Sequence, residues 1–129
     1  MLDLDQGPCA IKRLRGCSCG NEYVAVTPEG DIYPCHQFVG MDEWKMGSVL
    51  DGSLDQQKKS CFFSKTNVYE KSECRTCWAK FYCSGGCMAN SYKFNHSIND
   101  TYEVSCEMER KRVECAIMIK AALADADAQ

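Results

Sequence analysis

Four cysteines fall within Cys74-Arg-Thr-Cys77-Trp-Ala-Lys-Phe-Tyr-Cys83-Ser-Gly-Gly-Cys87, spaced C-x2-C-x5-C-x3-C. Cysteine packs as a small hydrophobe, but its reactivity usually decides where it is kept. A short loop that aims several thiolates at one point is what a metal ion or an iron–sulfur cluster requires. Gly85 and Gly86 let the backbone turn tightly or approach a cluster closely. The run reads as a ligand loop, and the rest of the chain as further ligands and a scaffold.

The chain has 129 residues, enough for one domain with a small core, and 11 of them are cysteine. Such a density points to a domain stapled by its thiols rather than held by apolar burial alone. A net charge of −3 and a pI near 5.4 argue against a nucleic-acid partner. Met1 to Gly16 has no apolar run after its basic residues, and no stretch is apolar enough for a membrane span. Without a secretion signal a disulfide framework loses its usual context, and an odd count leaves a thiol unpaired. Thiolates on metal in a reducing, cytoplasmic setting are the expectation.

In chain order, residues 1–7 read as a disordered or linker N-terminus, 8–124 as one domain and 125–129 as a tail. Gly16-Cys17-Ser18-Cys19-Gly20 places two thiols in a loop bracketed by glycines. Tyr23–Val26 and Ile32–Tyr33 are β-prone and flank Thr27-Pro28-Glu29-Gly30-Asp31. Pro28 suits position i+1 of a turn and Gly30 supplies a positive φ, so a β-hairpin is expected. The hairpin carries Cys35 back toward Cys17 and Cys19. A short strand is expected near Met46–Val49. Ser53-Leu-Asp-Gln56 has the form of a capping box and starts a helix through about Phe63. A short helix follows over Met88–Phe94, and Asn99-Asp100 caps a long last helix from about Thr101 to Ala124. On it Cys106, Val113, Ile117 and Ala121 form a buried stripe, with Glu107 and Lys111 paired outside. The expected fold class is α+β: a small cysteine-rich domain with a β-hairpin, cluster-binding loops and a long C-terminal helix.

The remaining chemistry-bearing residues receive plain readings. His36, next to Cys35, can ligate metal, but a buried, hydrogen-bonded histidine is the simpler account. His96 reads as a solvated loop residue, and Cys61 and Cys115 as packed thiols. Trp44, Trp78 and the Lys12–Arg15 basic patch can line a peptide path, though packed or solvated roles suffice for each.

Seven thiols stand out by placement: Cys17 or Cys19, then Cys35, Cys74, Cys77, Cys83, Cys87 and Cys106. Counting both Cys17 and Cys19 supplies two four-ligand sites. Zinc favours paired C-x2-C knuckles, because Zn–S bonds of ~2.3 Å draw four sulfurs around one ion. A 4Fe-4S cubane tolerates uneven spacings, and only one C-x2-C knuckle is present, which favours iron–sulfur. Spacing leaves two divisions open. Either the four clustered thiols share one site, or Cys74, Cys77 and Cys83 join Cys106 while Cys87 returns to Cys35.

Gly30-x4-Cys35 after an earlier thiol, then C-x2-C-x5-C-x3-C, then Cys106, resembles the seven-cysteine signature of the SPASM domain. That domain is the C-terminal, auxiliary-cluster part of many radical SAM enzymes. The resemblance runs from about Pro8 to Cys115. Within it, Tyr23–Gly40 and Cys77–Cys87 are similar to the maturases of SCIFF six-cysteine peptides, which install thioether bonds in ribosomally made precursors. The resemblance implies two 4Fe-4S clusters and the interleaved division. Cys17, Cys35 and Cys87 would hold cluster I, with Cys19 a possible fourth ligand. Cys74, Cys77, Cys83 and Cys106 would hold cluster II. It also implies a cysteine-rich precursor peptide whose thiol meets cluster I, a radical SAM barrel, and a reductant such as ferredoxin or flavodoxin.

Two features depart from the family. Cys19 stands where a small residue is expected, so it either closes cluster I or replaces Cys17. The C-x3-C-x2-C motif for S-adenosylmethionine (SAM) chemistry is absent, since Asn90 follows Cys83-x3-Cys87, and the barrel is missing too. Alone, the chain is expected to be inactive. The competing functions are a free-standing ferredoxin-like electron carrier and a zinc-stabilised interaction module.

Overall fold

The computed structural model describes residues 13–127. The expected linker at 1–7, the domain start at Pro8 and the Lys12 end of the basic patch lie outside them. The hairpin follows from its turn chemistry. Pro28 takes position i+1, and Gly30 at φ +89° donates its N–H to the Thr27 carbonyl at 2.9 Å. Strand β1 (Ala25–Val26) thereby pairs antiparallel with β2 (Asp31–Tyr33), with Ala25 opposite Tyr33. Strands β3 (Gly47–Ser48) and β4 (Ser53–Leu54) extend this into an antiparallel meander in the order β1-β2-β3-β4. Gly47 has φ +152°, and a Cβ there would fall 2.2 Å from the Ser53 carbonyl oxygen, so only glycine fits this crossing.

Ser53 is therefore a strand residue and not the start of a helix. Its Oγ accepts the Ser48 N–H at 3.1 Å and its own N–H is held by Asp51 at 2.8 Å, so the tight β3–β4 turn uses its capping capacity. Helix α1 (Gln56–Lys65) is capped instead by Asp55, whose side chain accepts the Lys58 N–H at 2.8 Å.

Between β2 and β3 two 3-10 turns, His36–Phe38 and Asp42–Trp44, deliver aromatic rings to the core. Phe38 is 0% exposed and meets Trp44 at 5.1 Å, Phe62 edge-on at 5.9 Å and Tyr92 at 6.0 Å between ring centres. Cys19, Tyr33, Cys35, Met88, Ala89 and Ile98 complete this core. Two candidate thiols thus sit inside the principal apolar cluster.

The second half is helical: α2 (Ser72–Thr76), α3 (Lys80–Cys83), α4 (Met88–Asn95) and α5 (Glu103–Asp127). Helix α5 begins at Glu103 rather than Thr101. Asn99 does not cap it, because the buried Asn99 Oδ1 has no hydrogen-bond partner. The expected stripe holds only through Val113, which is fully buried, while Ile117 is 50% exposed and Ala121 is exposed. Cys115 is exposed as well, not a core thiol. A helix of 25 residues is about 37 Å long, more than so small a body can cover. Lys111 pairs with Glu114 and not with Glu107, beside Arg112–Glu109 and Arg110–Glu103 pairs. Among the described residues no helix is long and apolar enough to cross a membrane.

Phe38→Ala removes the ring that Trp44, Phe62 and Tyr92 pack around. It should cost about 3–5 kcal/mol, read as a lowered midpoint in urea unfolding followed by circular dichroism.

Candidate metal centre

Four thiols from three helices line one cavity of about 310 Å³. Cys74 stands on α2, Cys77 ends that helix, Cys83 closes α3 and Cys106 lies in the first turn of α5. Burial pushes the Cys74 thiol up to about 11, against the pull of the neighbouring Lys71 ammonium. Burial also raises Cys83, opposed by N–H bonds to its sulfur from Gly85 and Gly86. Those amides are aimed by three successive left-handed residues, Ser84, Gly85 and Gly86, at φ +61°, +89° and +72°. Cys106 is raised by burial and eased by a hydrogen bond with Thr101.

A second group gathers where the hairpin returns. Gly20 donates to the Pro34 carbonyl at 2.9 Å, which ties the Cys17–Cys19 loop to the end of β2. Cys19 and Cys35 are buried, Cys87 is half-buried and Cys17 is exposed. The Cys19 thiol is held strongly protonated, first by burial, then by proximity to Cys17 and Cys35, by its hydrogen bond with Cys17 and by proximity to Cys87. Cys19 thus lies near each of the other three, and Cys87 packs against the core that holds Cys19 and Cys35. Gly16 packs against the Ser84–Gly86 turn, where an added Cβ would lie 3.4 Å from the Gly86 carbonyl oxygen. Gln37 donates Nε2–H to Cys87 Sγ at 3.7 Å and accepts from Lys93 at 3.4 Å.

The geometry thus separates Cys83 from Cys87, the two ends of one C-x3-C step, and brings together the interleaved sets rather than the local one. Every described cysteine is a free thiol. Among the described residues, no three His, Cys, Asp or Glu side chains close on one point as ligands of a single ion would. Cys74, Cys77, Cys83 and Cys106 line a cavity, and every one of these donors is a thiol. That donor chemistry fits an iron–sulfur cluster, in which each iron takes its own thiolate.

Residues 17–78 match the SPASM family, an iron–sulfur cluster-binding domain. The SPASM match spans Cys17, Cys19, Cys35, Cys74 and Cys77, from both thiol groups, and implies iron–sulfur binding. The chain is also 34% identical over 77 residues to an uncharacterised protein of Archaeoglobus fulgidus. The aligned part is 59% of this chain and spans only 18% of that relative's length.

Other expectations are corrected here. His36 is exposed rather than buried, because it opens a 3-10 turn whose inward residue is Phe38. Cys61 is exposed and edges a separate recess beside Trp44 and Phe62, because the inward side of α1 is taken by Phe62. His96 is exposed, as expected. Trp44 is packed in the aromatic core, Trp78 is 53% exposed, and Arg15 lies over the Phe63 ring at 3.3 Å.

Two polar residues beside the thiols carry no sequence signal, Gln37 and Lys71. Lys71 is 1% exposed and donates Nζ–H to the carbonyls of Gly85 at 3.0 Å and Asp100 at 3.2 Å.

A raised thiol pKa leaves little thiolate at neutral pH, and the thiolate is the nucleophile. In the metal-free protein at pH 8, iodoacetamide should therefore label exposed Cys61 and Cys115 first and Cys19 and Cys74 last. Raising the pH to 10 should speed the slow pair, read by peptide mass mapping.

Proposed function

We propose that this chain is the auxiliary-cluster part of a radical SAM enzyme that forms thioether crosslinks in a ribosomally made, cysteine-rich peptide. The observation that carries the reading is the interleaving of two thiol groups, with Cys87 packed against the core of Cys19 and Cys35 and not among the residues lining the Cys74 cavity. One 4Fe-4S cluster is assigned to Cys74, Cys77, Cys83 and Cys106, and a second to the group of Cys17, Cys19, Cys35 and Cys87. Bound there, such clusters supply one-electron transfer and, at an iron lacking a protein thiolate, a Lewis acid for a substrate thiol.

The chain's own residues divide the remaining work. Burial of Cys19 and Cys35 keeps water from one side of the second site, and Gln37 orients the Cys87 sulfur. Exposed Cys17 marks the side a peptide thiol can reach, which supports Cys19 as the third constant ligand and Cys17 as the exchangeable one. The amides of Gly85 and Gly86 stabilise negative charge on Cys83. The radical SAM barrel, the precursor peptide and an external reductant belong to the intact enzyme.

Iron, acid-labile sulfide and zinc should be measured per chain after anaerobic reconstitution. About eight iron with matching sulfide is expected. A paired Cys74→Ala and Cys106→Ala change should halve both. Zinc without sulfide would replace this reading with a structural zinc module. In the intact enzyme, precursor peptide should alter the EPR signal of the second cluster, and Cys17→Ala should preserve that response while Cys19→Ala abolishes it.

A further inference from the structure

A buried ammonium needs a counter-charge, and Lys71 has no carboxylate within ion-pair distance among the described residues. It is nevertheless 1% exposed, one of the most deeply buried side chains of the fold. Its two hydrogen bonds run to carbonyls that belong to the ligand-bearing segments. Gly85 lies between Cys83 and Cys87, and Asp100 leads into the helix that carries Cys106. Lys71 itself directly precedes α2, which carries Cys74. Burial holds the Lys71 ammonium below the ordinary lysine range, and the charges of Cys74, Cys106 and Cys83 of the first site and Cys87 of the second oppose that. The cations that line the first cavity, Lys80 and Arg110, are already engaged elsewhere. Arg110 is paired with Glu103 at 2.9 Å, and Lys80 donates to the Arg75 carbonyl at 2.8 Å.

We propose that Lys71 is the buried counter-charge of the thiolates at both sites, a positioning and potential-tuning residue that favours the more negative, reduced state of the bound clusters. The inference rests on the cluster reading above. A fixed cation in a low-dielectric interior lowers the energy of each added electron, and it does so more strongly than a solvent-screened one. Carbonyl bonds alone leave the ammonium uncompensated, so its burial is costly until thiolates are present. The cation therefore works against the metal-free fold and for the loaded one.

Three variants test this: Lys71→Met keeps the volume, Lys71→Gln keeps a donor, and Lys71→Arg keeps the charge. The readouts are iron and sulfide content, midpoint potential in an EPR-monitored redox titration, and melting temperature with and without cluster. Met and Gln should shift the reduction equilibrium toward the oxidised form by about tenfold or more, ~59 mV for a one-electron couple. Arg should hold near the wild-type midpoint. The metal-free Met variant should melt no lower than wild type, while the loaded one melts lower. Where Met and Gln hold less cluster, this opposite response of the two states still supports the proposal. Normal cluster content with unchanged midpoints in Met and Gln overturns it. So does equal destabilisation of loaded and metal-free forms, which marks a purely structural tie. Wild-type chain that takes up no iron and sulfide overturns the cluster reading itself.

Discussion

Thiols brought close together resist ionising together. Each thiolate raises the cost of the next, and burial in a small apolar body raises it further. Much of this structure answers that difficulty. Cys74 and Cys19 are pushed well toward their neutral forms in the metal-free chain, each chiefly by burial. Against this stand the Gly85 and Gly86 amides on Cys83, the Gln37 amide on Cys87 and the Lys71 ammonium on the Gly85 and Asp100 carbonyls. Each is a donor or a positive charge set beside a candidate ligand or the segments that carry one.

The geometry of the Ser84–Gly86 turn makes the interleaving possible. Three left-handed residues in succession reverse the chain between Cys83 and Cys87, so neighbouring thiols in sequence serve different groups. The turn is held from both sides, by Lys71 on the Gly85 carbonyl and by Gly16 packed against Gly86. Ser84 adopts φ +61° without glycine's freedom, a strain of order 1–3 kcal/mol that the surrounding contacts must offset. Site geometry and backbone strain are thus parts of one device. The aromatic core performs the same service for the hairpin site, since Phe38 anchors the turn that follows Cys35.

Where local rules met no competition, the sequence reading agrees with the structure. The Pro28–Gly30 turn, the β3 strand and the α4 helix lie where their residues place them. Readings failed where a neighbour took the group that the rule relied on. Ser53 is used by a tight hairpin, so the cap passes to Asp55. The apolar period of α5 is real, but the body ends near Val113 and leaves Ile117 without cover. His36 and Cys61 have buried-type chemistry, yet each stands beside a phenylalanine that takes the interior position.

The sequence by itself determined the supply of candidate thiols, because cysteine number, the C-x2-C-x5-C-x3-C spacing and the paired glycines are chemical facts independent of packing. It also determined the hairpin that returns Cys35 to the Cys17–Cys19 loop, because a proline–glycine turn acts within a few residues. Only the tertiary structure decided how the thiols divide and which charge faces them. Those outcomes depend on contacts between distant segments, such as Lys71 with Gly85 and Asp100, or Cys19 with Cys87. Spacing constrains how far a thiol can reach, but long-range packing selects which of the thiols within reach it joins.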